Sequence, residues 1–144
     1  MTYSVFTIGQ VYLIRAEHDT DLIQFVTDFS QIKEIKTATF TALGALKTAN
    51  LGFYNQTTHT YEEHFLDFPS ELASCLGNIS LKDGQPFVHA HAVLIDDHGT
   101  SFGGHLIAGS VFAAEIHLFD LKGAKLERAY DPLTDLSLWG VNQD

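Results

Sequence analysis

Two tight-turn signals frame one alternating segment, and together they fix more of this chain's register than any other feature. Asp83-Gly84 reads as a two-residue hairpin turn, and Asp97-His98-Gly99 as a three-residue loop with Gly99 in the left-handed position. The segment between them, Phe87 to Ile95, is a strand candidate. Counting outward from the first turn sets Lys82 opposite Gln85, Leu81 opposite Pro86 and Asn78 opposite His89. Pro86 then falls at a non-hydrogen-bonded position, where its missing N–H costs nothing. Counting outward from the second turn pairs Asp96 with Thr100, Ile95 with Ser101, Val93 with Gly103 and His91 with His105.

Both counts lead to histidines. His89 and His91 are two apart on a strand, so they share a face with Cα atoms roughly 6.5–7 Å apart. His105 arrives directly opposite His91, where Cβ atoms lie about 4.5–5.5 Å apart. Three imidazoles on one face can ligate one divalent cation at roughly 2.0–2.1 Å per nitrogen and leave a fourth position open. Imidazole suits zinc, copper, nickel and iron alike; Zn²⁺ is named for its availability and its tolerance of tetrahedral sites. Asn78, opposite His89, is placed to orient a ring or to touch a bound ligand. The constellation depends on Gly103-Gly104, because a bulge there moves one register by a residue and sends His105 to the other face. The plain alternative is three isolated polar residues on a half-exposed sheet. His18, His59, His64 and His98 stand in polar or turn-like surroundings and read as solvated or locally bonded. Glu115 and His117 form a further same-face pair, read equally as solvated sheet or as part of a site.

The rest of the chain supplies the frame. Val11 to Arg15 reads as a strand, after which Asp19 or Thr20 caps a helix carrying Leu22, Phe25, Val26 and Phe29 at helical spacing. Thr37 to Leu46, Leu51 to Tyr54 and Tyr61 to Phe68 read as strands, the last closed by Pro69. Ser70 is expected to cap a short helical turn containing Glu71 and Leu72, ended by Gly77. Asn78 to Lys82, Phe102 to Ile107 and Val111 to Leu121 are further strands, and Asp131 to Asp144 reads as an irregular or short helical cover.

A length of 144 residues with 45% hydrophobic content points to a single domain over residues 1–144 with one core. Such a core needs no metal to fold, so a metal here is functional. Cys75 is the lone cysteine, which excludes an internal disulfide and suits a reducing compartment. It reads as core filler. The start, Met1 to Gln10, lacks the layout of a secretory signal, and no apolar run is long enough for a membrane span, so no membrane association is expected. Cytoplasm is the simplest reading. A net charge of -10 repels the phosphate backbone of DNA. No glycine-rich phosphate loop is present in the sequence.

Taken in order, Leu13-Ile14-Arg15, Ala42-Leu43-Gly44-Ala45-Leu46, Gly52-Phe53-Tyr54, Glu71-Leu72-Ala73-Ser74-Cys75-Leu76-Gly77-Asn78-Ile79-Ser80, His89-Ala90-His91, Gly103-Gly104-His105-Leu106 and Glu115 carry a family resemblance. The chain resembles the plants and prokaryotes conserved (PPC) domain family, in the bare prokaryotic form without an AT-hook. That resemblance implies an α+β fold with a large, mostly antiparallel (mixed) sheet flanked by one main helix and one or two short helices. It also implies assembly as a homotrimer and, in some prokaryotic members, a metal held by the matched histidines. Plant members place the domain after AT-hooks; this sequence has no Arg-Gly-Arg-Pro hook, and direct DNA binding is not expected. It also has His18-Asp19 where members often carry Gly-Glu.

The leading functional reading is a three-histidine metal site at His89, His91 and His105 that binds a small molecule or a partner, in a regulatory role. A second is a metal-dependent hydrolase whose metal activates water, with Glu71 or Glu115 as general base. A third is a cupin-like barrel, which shares the H-x-H strand, but Leu94-Ile95-Asp96-Asp97 stands where its glutamate is expected. A DNA-associated regulator follows from the family label alone, and charge opposes it.

Overall fold

The computed structural model describes residues 3–140. Its elements run β1 (Phe6–Ala16), α1 (Leu22–Ile32), β2 (Ala38–Asn55), β3 (Thr60–Leu66), β4 (Ser70–Lys82), β5 (Gln85–Ile95), β6 (Ser101–Gly123), β7 (Glu127–Asp131) and β8 (Leu136–Gly140). All strands join one sheet in the order β3-β2-β6-β5-β4-β7-β8, with β1 on β6. β2 also pairs with β4, so β2, β6, β5 and β4 close into a ring of pairings. Every pairing is antiparallel except the short contact of β4 with β7, which makes the sheet mixed. The α+β expectation holds.

The interior is filled by residues that the period-2 alternation of the strands points inward. Phe40, Leu46, Leu72, Ile79, Leu94, Leu106, Ile116 and Leu118 are almost fully buried. Helix α1 lays Leu22 and Val26 on this core, with Phe25 and Phe29 packed at its margin. Its cap is Asp21, one residue beyond the two candidates read from the sequence. The Asp21 carboxylate accepts from the Gln24 N–H at 2.8 Å and from the Gly109 N–H at 2.7 Å. One side chain therefore caps the helix and ties it to β6.

Several expected elements merge or change type. Thr37 to Leu46 and Leu51 to Tyr54 are one strand, β2, and the segments around Phe102 to Ile107 and Val111 to Leu121 are one strand, β6. Register shifts within the β2–β6 pair absorb the residues that looked like breaks. At the register shift of the β2–β4 pair Gly44 has φ 143°, and a Cβ there would lie 2.1 Å from the Ala113 carbonyl oxygen, so only glycine fits. The short helical turn at Glu71 and Leu72 does not exist; those residues begin β4. Helix α1 is thus the sole α-helix among the described residues, without the short companions expected. The tail also differs from expectation, because β7 and β8 form an antiparallel hairpin. Residues 141–144 of that tail lie outside the described residues.

Candidate metal centre

Both turn counts match the observed registers. Asp83 and Gly84 have φ 54° and 75°, positive at both turn positions. Lys82 pairs with Gln85, Leu81 with Pro86 and Asn78 with His89. Gly99 has φ 80°, and β5 pairs with β6 without a shift from Ile95 and Ser101 to His91 and His105. No bulge interrupts Gly103-Gly104 in this pairing, so His105 stays on the face of His89 and His91.

The three rings form a compact triangle, with centroids 5.2 Å apart for His89 and His91, 5.1 Å for His89 and His105, and 5.5 Å for His91 and His105. One ligand nitrogen from each lies within 4.8 Å of the others. Tetrahedral ligation at about 2.05 Å sets nitrogens roughly 3.4 Å apart, a difference that small rotations of the rings cover. Nδ1 of His105 is buried and has no hydrogen-bond partner among the described residues. Buried polar atoms are ordinarily paired, and a bound cation would supply the missing partner. The residues present therefore fit a metal.

Electrostatics favour the ligating form of the rings. Burial, then the neighbouring His105, Arg128 and His91, hold the His89 imidazole down to about 4 from its ordinary 6.5. Burial, followed by His91 and Arg128, also lowers His105. Neutral imidazole is the form that binds metal, so both rings are ready at neutral pH.

Of the other candidate residues, Asn78 lies opposite His89, and its side-chain oxygen accepts from Nη2 of Arg128 at 3.1 Å. Glu71 lies opposite Ile95, seven residues along β4 from Asn78, about 23 Å at the rise of an extended strand. Glu115 pairs with Arg15 and Leu43, ten residues along β6 from His105, or about 33 Å. Within this chain neither glutamate is grouped with the three histidines or lines the cavity beside them. His117 lies further along the same strand, opposite Leu13 and Thr41. His59 occupies a turn with φ 55°, His98 lies in the β5–β6 loop, His64 is exposed on β3, and His18 bonds the Phe112 carbonyl through Nδ1 at 2.8 Å.

Sequence reasoning missed the hairpin that borders this face. A cavity of about 370 Å³ opens beside His89 and His105, walled by Tyr61 of β3, Phe87 of β5, Ile107 of β6, and Arg128 and Leu136 of the β7–β8 hairpin. The hairpin is pinned by the Leu81 N–H donating to the Leu126 carbonyl at 2.8 Å and the Tyr54 hydroxyl donating to the Thr134 carbonyl at 2.6 Å. The one available signal was the alternation Leu136-Ser137-Leu138 in the tail; the segment around Arg128, Leu126-Glu127-Arg128-Ala129-Tyr130, does not alternate.

Comparison with known proteins gives a consistent result. The family model of the Plants and Prokaryotes Conserved (PCC) domain, the PPC domain named above, matches residues 3–122. A plant- and prokaryote-conserved protein of Pyrococcus horikoshii is 39% identical with a TM-score of 0.93, the match covering 99% of each chain. A metal-containing protein of Archaeoglobus fulgidus is 38% identical with a TM-score of 0.94, over 96% of this chain and 99% of that one. A bifunctional protein GlmU of Synechococcus sp. (strain JA-3-3Ab) is 30% identical over 128 residues, which are 87% of this chain but only 19% of that protein.

Proposed function

Since the chain belongs to the Plants and Prokaryotes Conserved domain family, we propose that it is a metal-binding member in which His89, His91 and His105 hold one Zn²⁺ and present it to a small ligand, in a regulatory role. The observation that carries this reading is the triangle of ligand nitrogens within 4.8 Å. The similarity to a metal-containing archaeal protein supports it. His105 contributes a buried nitrogen with no hydrogen-bond partner among the described residues, and burial keeps His89 uncharged. A zinc ion held by three imidazoles supplies a Lewis-acidic position that polarises whatever oxygen donor it meets. The protein's part is to fix three ligands on two strands of one register and to wall the approach with Tyr61, Phe87 and Leu136.

The reading is tested by metal content. Wild type purified in metal-supplemented medium is expected to carry about one equivalent, and His89→Ala, His91→Ala and His105→Ala to lose most of it while staying folded, since three protein ligands are the minimum of such sites. A full equivalent retained by all three variants would refute it.

We also propose that the chain works as a cytoplasmic homotrimer without direct DNA contact. Exposed apolar side chains that assembly would cover support this: Leu13 is 76% exposed, Leu76 63% and Phe112 59%.

A further inference from the structure

Arg128 is a half-buried cation without an anionic partner among the described residues. Its Nε donates to Ser80 Oγ at 2.8 Å, Nη1 to the Ser137 carbonyl at 2.9 Å and Nη2 to Asn78 Oδ1 at 3.1 Å. All three acceptors are neutral, and no carboxylate of the described residues lies within salt-bridge distance of the guanidinium. A guanidinium has five N–H donors, which leaves one on each of Nη1 and Nη2. Burying a cation without a counter-charge costs free energy that pairing with an anion recovers.

The surroundings specify what the anion is. Arg128 Cζ sits 4.9 Å from the Phe87 ring centroid, and Lys82 Nζ lies 5.5 Å from the same centroid, so two cations border one side of the cavity. The acidic residues on the wall are Glu63 and Asp135; Glu63 is engaged by the Asn50 amide at 2.6 Å, and Asp135 by Tyr130. The remaining wall is Tyr61, Phe87, Ile107, Leu136 and Leu138, which favours a ligand with an apolar body. The volume of about 370 Å³ lies at the small end of ligand sites.

We infer that this cavity takes a small carboxylate with an apolar body, gripped by the free Nη donors of Arg128 beside the metal held by His89, His91 and His105. The paired donors of a guanidinium match the two oxygens of a carboxylate. The inference rests on the metal reading above and adds the ligand class. It also assigns recognition to the β7–β8 hairpin, which carries Arg128, Leu136 and Leu138 and lies beyond residue 122, where the family match ends.

The test is calorimetric titration of the zinc-loaded protein with sodium butyrate, 1-butanol and inorganic phosphate, in wild type, Arg128→Gln and Arg128→Lys, with zinc content measured in each. Butyrate is expected to bind wild type, 1-butanol to bind far more weakly, and Arg128→Gln to lose about ten- to a hundredfold in butyrate affinity, the scale of a hydrogen bond to a charged group, while keeping its zinc. Arg128→Lys, which keeps the charge but loses the paired donors, should fall between. Equal butyrate affinity in wild type and Arg128→Gln, both zinc-loaded, overturns the carboxylate site and leaves the metal site standing. Butanol binding as tightly as butyrate in wild type overturns it without any variant, and tighter binding of phosphate overturns the carboxylate assignment. Wild type that takes up no zinc overturns both readings.

Discussion

Acidifying the metal-free protein should destabilise it through His89 between pH 6.5 and 4. In the unfolded chain this imidazole takes up its proton near the ordinary 6.5, whereas in the fold burial and its charged neighbours delay uptake to about 4. Between those values the unfolded state holds more protons, so stability rises with pH across the window. The contribution is complete above 6.5 and disappears as pH falls toward 4. At about 1.36 kcal/mol per pH unit, the gap caps the effect near ~3.4 kcal/mol. The ring is only half-buried, and solvent screening brings the expectation down to about 1–2 kcal/mol, or roughly 3–7 °C in melting temperature for a domain of this size. The assay is thermal unfolding of chelator-treated wild type and His89→Asn at pH 7 and pH 4.5. Carboxylates titrate in both proteins and cancel in the comparison, so wild type should lose about 3–7 °C more than the variant. Parallel losses would show that His89 is not held neutral by the fold and would remove the electrostatic part of the metal argument.

Two further expectations concern partners. Light scattering should give three times the 15.9 kDa chain mass, and a monomer across the accessible concentration range would remove the assembly proposal and leave Leu13, Leu76 and Phe112 unexplained. A gel shift with A·T-rich duplex at ~0.15 M salt should show no complex, since a chain of net charge -10 lacks the counterion-release term of nonspecific binding; clear micromolar binding would revive the DNA-regulator reading.

The sequence was most legible where a turn type dictates a register, and least where pairing is long-range or bulged. The counts from Asp83-Gly84 and Asp97-His98-Gly99 reach His89, His91 and His105 without a slip. Leu72 and Cys75 mimic a helix because the register shift between Leu72 and Ser74 inserts one residue, turning a spacing of two into a spacing of three. Both are buried strand residues. The β7–β8 hairpin joins the sheet through one parallel ladder pair, Leu81 with Glu127, which no turn count reaches, and Arg128 was missed with it.

The glycine pair on which the reading turned yields the sharpest mutational expectation. A Cβ on Gly104 would lie 2.8 Å from the Gly52 carbonyl oxygen, while one on Gly103 would lie 3.2 Å from the Ala92 carbonyl oxygen. Gly52 is also the residue that pairs with His105 across β2 and β6. Gly104→Ala must therefore push these strands apart next to the third ligand, and backbone cannot yield as a flexible side chain does. Overpacking of this kind costs about 1–3 kcal/mol, and displacing a ligand's support lowers metal affinity roughly 10–100-fold. Gly103→Ala, with the looser contact, should lose less of both. Competition with a chelating dye measures the affinity, and thermal unfolding the stability. If Gly104→Ala melts lower but binds zinc as wild type does, the spacing of β6 from β2 is not what holds His105 in place. The ligand geometry would then belong to the β5–β6 hairpin alone, whose register the two turns already set.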